Sequence, residues 1–246
     1  ENSRVLIRVD FNVPLINNEV QSDFRIRSAK RTIDYCLEKN ASIILMSHLG
    51  RPENKDSNLS LSIMKKHLSD LFKVKIHFSD DCISDESIEK SLNMNPGEIH
   101  LLENLRYHNE EKENDEFFAY KLSCHAEIYI NDAFGTSHRK HASNSSILKY
   151  YKNKAIGFLM IRELEYLKDI FSNKNKSVVL VGGAKISTKI KMLKNFITKS
   201  SHILIGGAMA FTFLKSKGVS VGKSLVEDKM LNEAKSILKL AKDNDV

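Results

Sequence analysis

R-V-L-I-R-V-D-F-N-V-P, Arg4 to Pro14, carries a continuous apolar run straight into a polar turn. The run does not alternate between apolar and polar, so it reads as a strand covered on both faces, the habit of parallel sheets. Asp10 and Asn12, followed by Val13-Pro14, mark where the chain leaves the sheet. In an open parallel sheet, ligands bind just beyond the carboxyl ends of the strands. Asp10, Phe11 and Asn12 are therefore the first candidate site residues, and each later strand can be searched the same way.

Working outward, Ser22 can cap a helix running to about Lys39, with Ile26, Ala29, Ile33 and Leu37 on one face. Further strands are expected at Ser42 to Ser47, Val74 to Phe78, Glu98 to Leu102 and Ala126 to Asn131. Helices are expected from Ser60, over Ile83 to Leu92 and over Asn114 to Cys124. This alternation is the signature of an α/β parallel sheet. After Tyr151 the pattern restarts. Phe158 to Phe171 reads as one helix, Asn173 to Lys176 as a polar break, and Ser177 to Val181 and His202 to Ile205 as strands, each followed by a helix. A last helix carries Leu231, Ala234, Leu238 and Ala241. Two strands are too few for a stable doubly wound sheet, so the second unit is expected to be incomplete.

Residues just past the strands of the first unit share a chemistry. They are Asp10, Phe11 and Asn12; His48, Leu49, Gly50 and Arg51; Glu103 to Arg106; and Asp132 to Gly135, followed by His138, Arg139 and His141. Arg25 at the first helix could join them. Arginine forks match phosphate and carboxylate oxygens, so this edge reads as a cage for a small polyanion. Taken singly, Asp10 and Asn12 could be turn formers, Arg51 and Arg106 solvated charges, and His48, His138 and His141 ordinary loop histidines. Their recurrence along one edge favours the cage. In the second unit, Gly182-Gly183-Ala184-Lys185 follows a strand and opens a helix, where free N–H groups can meet an anion. Lys185 and Lys189 would share a helical face there. Tight strand-to-helix packing also explains paired glycines, although Gly206-Gly207-Ala208 repeats the arrangement.

The whole chain is consistent with a small anionic ligand. Among 246 residues, 38 Lys and Arg against 31 Asp and Glu give a formal charge of +7. The lysines are interleaved with acids rather than gathered into a stripe with aromatics, which argues against a nucleic-acid partner. Cys36, Cys82 and Cys124 lie far apart, which points to a reducing compartment rather than to disulfides or a zinc site. The apolar runs are too short to span a membrane. Residues 1 to 10 read as a strand and not as a secretory leader.

R-V-D-F-N-V-P (Arg8 to Pro14), S-H-L-G-R-P (Ser47 to Pro52), L-L-E-N-L-R (Leu101 to Arg106) and N-D-A-F-G-T-S-H-R (Asn131 to Arg139) stand in the first unit. G-G-A-K (Gly182 to Lys185), I-G-G-A-M-A-F-T-F-L (Ile205 to Leu214) and G-K-S-L-V-E (Gly222 to Glu227) follow in the second. Together, and in this order, they resemble the signatures of the phosphoglycerate kinase family over nearly the whole chain. The resemblance implies two doubly wound, Rossmann-like parallel-sheet domains joined by a hinge helix, the second incomplete. Residues 1–155 would bind 3-phosphoglycerate, 156–172 would form the hinge helix and 173–246 would be part of a nucleotide-binding domain.

The resemblance implies reversible phosphoryl transfer between 1,3-bisphosphoglycerate and ADP, giving 3-phosphoglycerate and ATP in glycolysis, with Mg2+. It implies a monomeric, cytoplasmic enzyme. Asp10, Phe11, Asn12, Arg25, His48, Leu49, Gly50, Arg51, Arg106 and Arg139 match substrate-binding positions. Gly183, Ala184, Lys185, Lys189, Gly207 and Ala208 match nucleotide-binding positions, with Ala208 replacing a family glycine. Arg25, Lys185 and Lys189 match catalytic ones. The family pattern begins before the first strand here. It continues past Val246 with a G-G-G-D stretch whose aspartate helps hold Mg-ATP, so no metal ligand is expected within this chain. The alternative is a truncated, non-catalytic module that holds phosphoglycerate.

Overall fold

A computed structural model describes residues 2–172 and 177–246. The polar break expected at Asn173 to Lys176 lies outside the described residues. The chain divides into two compact units, Glu1–Glu163 and Leu164–Val246.

The first unit opens with strand β1 (Arg4–Arg8) and a short antiparallel pair, β2 (Leu15–Ile16) and β3 (Glu19–Val20). Helices α1 (Phe24–Ser28) and α2 (Lys30–Glu38) lead to β4 (Ser42–Met46). Then come α3 (Lys65–Phe72), β5 (Ile76–Phe78), α4 (Asp85–Leu92) and β6 (Ile99–Leu101). Helices α5 (Asn109–Glu113) and α6 (Glu116–Ser123) precede β7 (Ile128–Asn131) and β8 (Asn153–Ile156). Six parallel strands pair in the order β5-β6-β4-β1-β7-β8.

Both faces of this sheet are buried, which is why its central strands are continuously apolar. Val5, Ile7, Ile43 and Leu45 point into one core with Ile26, Ile33 and Leu68. Leu6, Ile44, Met46 and Tyr129 point into the other with Phe118, Leu122 and Ile147. Arg8 falls on the parity of Leu6 and so enters the second core, where it is 1% exposed.

That second core also holds a directional hydrogen-bond chain. His125 Nε2 must donate to the Cys82 carbonyl (3.0 Å), so a neutral His125 accepts at Nδ1 from the Ser91 hydroxyl (2.6 Å). Ser91 Oγ then receives the His100 Nδ1 proton (2.8 Å), and His100 Nε2 accepts from Ser79 (2.9 Å). With both rings neutral, every ring nitrogen in this chain has a partner. Burial pushes the His100 pKa down to about 3 and the His125 pKa down to about 4.

The expected Ser22-to-Lys39 helix is broken at Ala29, whose N–H reaches the Ile26 carbonyl (3.2 Å) in a tight turn before α2 begins. The helix expected from Ser60 starts as a 3-10 turn, Leu61–Met64. Strand β8 and helix α5 are unheralded in the sequence. β8 is an exposed edge strand without an apolar signal. α5 is Asn-Glu-Glu-Lys-Glu, with Glu111 its buried residue.

Helix α7 (Phe158–Ser172) runs from the first unit into the second. The second unit pairs β9 (Val178–Gly182) with β10 (His202–Gly206) in parallel, and adds α8 (Ile190–Ile197), α9 (Met209–Ser216) and α10 (Leu231–Asp243). Val181, Leu193, Ile197, Met209, Phe213, Ala234 and Ile237 form its core. On the other face of the strand pair, Val178, Leu180 and Leu204 are exposed. Among the described residues, no helix is long and apolar enough to cross a membrane.

Candidate functional site

The loops after β1, β4, β6 and β7 leave four adjacent strands at the same sheet edge. They bring Asp10, Asn12, His48, Arg51, Arg106 and Arg139 together with Arg25 of α1 around a cavity of about 190 Å3, also lined by Gly135 and Thr136.

Hydrogen bonds between the loops fix this arrangement. Asp10 Oδ1 accepts from its own turn at Asn12 N (3.2 Å), and Asp10 Oδ2 accepts from Arg25 Nη1 (2.6 Å). Asn12 Oδ1 accepts from Gly50 N (2.8 Å), joining the first loop to the second. Ser47 Oγ accepts from Phe11 N (2.8 Å). Arg106 Nη1 donates to the Gly50 carbonyl, so the guanidinium is partly spent on holding the loop that carries Arg51.

The charge balance favours an anion. Asp10 offsets Arg25. Among the described residues, no carboxylate pairs with Arg51, Arg106 or Arg139. Burial, and then the charges of Arg139, Arg8 and Arg51, lower the Arg106 pKa. The same physics acts on His48, which is 4% exposed. Burial, followed by Arg8, Arg106, Arg139 and Arg25, pushes its pKa down to about 2, so the ring is neutral. Several fixed cations facing one small polar cavity form a receptor for phosphate or carboxylate oxygens.

Several residues named from the sequence stand elsewhere. Phe11 is a fully buried core residue that does not line the cavity; its N–H is held by Ser47 Oγ. Leu49 and Gly50 line a neighbouring cavity of about 480 Å3 with Asn12, Asn17, Asn18 and Leu59. Glu103 is structural: its carboxylate accepts from Ser60 Oγ (2.7 Å), Leu61 N (2.8 Å) and Asn104 N (2.7 Å). His138 is exposed beside Arg139, and His141 lies against Glu111 at 3.6 Å. Asp132 is buried and accepts from Met160 N (3.2 Å) at the start of α7. Arg8, Glu111, Ser143 and Thr136 were missed. Arg8 had a signal, a charge inside a buried strand that must find partners.

In the second unit, Gly183 and Gly207 meet at the strand ends. A Cβ on Gly207 (φ +72°) would lie 2.8 Å from the Gly183 carbonyl oxygen, so no larger residue fits. Lys189 lies across Gly183, its Cε 2.8 Å from where a Cβ would stand. Ala184 and Lys185 are exposed, and Ala208 immediately precedes α9. The expected helix does not open at Lys185. Residues 184–189 form a turn and α8 begins at Ile190, so Lys185 and Lys189 do not share a helical face. Within that turn the Glu227 carboxylate accepts from Ile186 N (2.6 Å), Ser187 N (3.2 Å) and Ser187 Oγ (2.7 Å). G-K-S-L-V-E contains Glu227, but nothing in the sequence assigned it this partner.

A phosphoglycerate kinase family model matches residues 1–246. The chain belongs to the phosphoglycerate kinase family. It is 48% identical over 246 residues to a phosphoglycerate kinase of a Nitratiruptor species, covering 98% of this chain and 62% of that protein. It is 44% identical over 245 residues to the phosphoglycerate kinase of Aquifex aeolicus, covering 99% and 62%. The solved phosphoglycerate kinase of Coxiella burnetii superposes with a TM-score of 0.88 at 37% identity, over 100% of this chain and 62% of that one. That of Pyrococcus horikoshii gives 0.79 at 29% identity, over 99% and 62%. The chain thus spans about 62% of the length of these relatives.

Proposed function

We propose that this chain supplies the phosphoglycerate site and part of the nucleotide site of a phosphoglycerate kinase. The reaction is reversible phosphoryl transfer between 1,3-bisphosphoglycerate and ADP, giving 3-phosphoglycerate and ATP. One observation carries the proposal: Arg51, Arg106 and Arg139 face one cavity with His48, and among the described residues no carboxylate neutralises them.

Such a transfer needs positioning and charge neutralisation more than a proton-transferring base. Arg51, Arg106 and Arg139 hold the phosphate and carboxylate of the glycerate. Arg25, half-exposed and oriented by Asp10, offsets charge on the group in transfer. Gly183 and Gly207 let nucleotide phosphates approach the backbone, and Lys189 and Lys185 supply cations to them. The phosphoglycerate domain runs through β8 to Ile156, rather than ending at 155, α7 (Phe158–Ser172) is the hinge helix, and the chain beyond it is part of the nucleotide domain.

The second unit's strand ends offer lysines, glycines and backbone donors, which suit phosphate oxygens. They do not offer the carboxylates that Mg2+ prefers, because Glu227 is occupied by Ile186 and Ser187. Mg2+ does not fit this donor set. Calorimetry of the 246-residue chain with 3-phosphoglycerate tests the proposal. Binding that Arg106→Ala weakens is the expected outcome, and no binding by the unaltered chain overturns it. A coupled assay on the same chain then separates turnover from the alternative of a binding module.

A further inference from the structure

His48 is the cage residue whose charge could vary near neutral pH, and a buried relay behind it decides that charge. Arg8 Nη2 lies 3.1 Å from His48 Nδ1. Arginine offers only donors, so Nδ1 must be the acceptor and cannot carry a proton. A neutral imidazole accepting at Nδ1 carries its proton on Nε2. His48 lines the cavity, and among the described residues no protein group accepts from Nε2.

Arg8 is itself held rigidly. Nη1 donates to the Val9 carbonyl, and Nε donates to Ser143 Oγ (3.0 Å). Ser143 in turn donates from Oγ to Glu111 Oε1 (2.6 Å) and from its N–H to Glu111 Oε2 (2.9 Å). Arg8, Ser143 and Glu111 are each 1% exposed or less. The buried charges of Arg8 and Glu111 compensate one another through a single hydroxyl, the kind of network that remains only where every member is satisfied. The charged groups facing His48 are Arg8 from β1, Arg25 from α1, Arg106 after β6 and Arg139 after β7, with Asp10 and Arg51 on the same cavity.

We infer that Arg8, held by Ser143 and Glu111, is a positioning residue that keeps His48 neutral in its Nε2–H tautomer and presents that N–H to the cavity. The cage then recognises an anion with fixed arginine charges plus one neutral donor, and its charge does not vary with His48 around neutral pH. The naming of 3-phosphoglycerate as that anion rests on the function proposed above.

Two-bond 1H–15N spectra of the histidine rings in the 246-residue chain test this directly, with His48 assigned from His48→Gln. The expected result without ligand is a single Nε2–H tautomer from about pH 5 to 8. In Arg8→Met, the His48 signals should show mixed tautomers and a titration moved up toward the ordinary histidine range. Ser143→Ala, a smaller change, should move them the same way to a lesser extent. An Nδ1–H tautomer or an imidazolium in the unaltered chain at pH 7 overturns the inference. So does an Arg8→Met protein whose His48 signals match the unaltered chain. If Arg8→Met fails to fold, the unaltered chain and Ser143→Ala still decide. With 3-phosphoglycerate added, the Nε2–H signal should shift while Nδ1 stays an acceptor. If no cage resonance moves, the substrate assignment fails, while the ligand-free tautomer still judges the role of Arg8.

Discussion

Asn104 and Leu49 exchange hydrogen bonds in both directions. Asn104 Oδ1 accepts from Leu49 N (3.1 Å), and Asn104 Nδ2 donates to Leu49 O (2.8 Å). The same fully buried amide accepts from Arg106 N (3.1 Å) and donates to Leu59 O (2.9 Å). One side chain therefore ties the loop carrying His48 and Arg51 to the loop carrying Arg106. Asn104→Ala leaves several buried backbone groups unpaired and should cost about 3 kcal/mol in urea denaturation. It should also weaken 3-phosphoglycerate binding, although Asn104 does not line the cavity.

If the proposed roles hold, Arg106 and Arg25 variants should separate binding from chemistry. Arg106 is nearly buried, and its fork serves both the loop and the cavity. Losing a charge-assisted bond there costs about 1.5–3 kcal/mol, so Arg106→Ala should weaken 3-phosphoglycerate binding about tenfold to a hundredfold by calorimetry. Arg106→Lys should recover only part of this, because lysine lacks the planar fork.

Arg25 is bound to Asp10 at the cavity's rim and its side chain is 50% exposed. In a full-length enzyme, Arg25→Ala should lower kcat by about a hundredfold, while the Kd for 3-phosphoglycerate changes by less than about threefold. Equal losses in both would remove the role in offsetting charge on the transferring phosphoryl group.

Acid should unfold the chain through histidines before carboxylates. His48, His100 and His125 have native pKa values near 2, 3 and 4, all lowered by burial from 6.5. Between those values and 6.5 the unfolded chain binds protons that the native one excludes. Stability therefore rises with pH across this window and is lost as pH falls below about 6.5. The three together should remove about 4 kcal/mol between pH 7.5 and 5.5. Asp81, whose carboxylate is stabilised chiefly by its hydrogen bond to His108, loses its contribution only below the ordinary aspartate range. Urea midpoints measured at half-unit pH steps check the order. A flat profile above pH 5 would contradict it.

Gly207 allows the two strand ends of the second unit to touch. Gly207→Ala combines a positive φ with a contact of 2.8 Å to Gly183 backbone, which cannot swing aside as a side chain could. Thermal melts should show a loss of about 1–3 kcal/mol, and ADP binding by calorimetry should fall with it.

The sequence by itself determined the strands of the sheet, because a strand buried on both faces must be continuously apolar, as Arg4 to Arg8 and Ser42 to Met46 are. It also determined which loops carry the cage, because a parallel sheet sends all its carboxyl ends to one edge. Edge strand β8 was illegible, since an exposed Asn-Lys-Ala-Ile has no apolar pattern to read. Three things were decided only by the tertiary structure. Glu227 takes the N–H groups of Ile186 and Ser187 in the turn before α8, a partnership across some forty positions. His138 and His141 fall outside the cavity, while Thr136 of the same loop lines it. Arg8, buried by strand parity, finds Ser143 and, through it, Glu111. The physical reason is the same in each case: local pattern sets which face a residue takes, whereas hydrogen-bond partners distant in sequence are chosen only when the chain has closed.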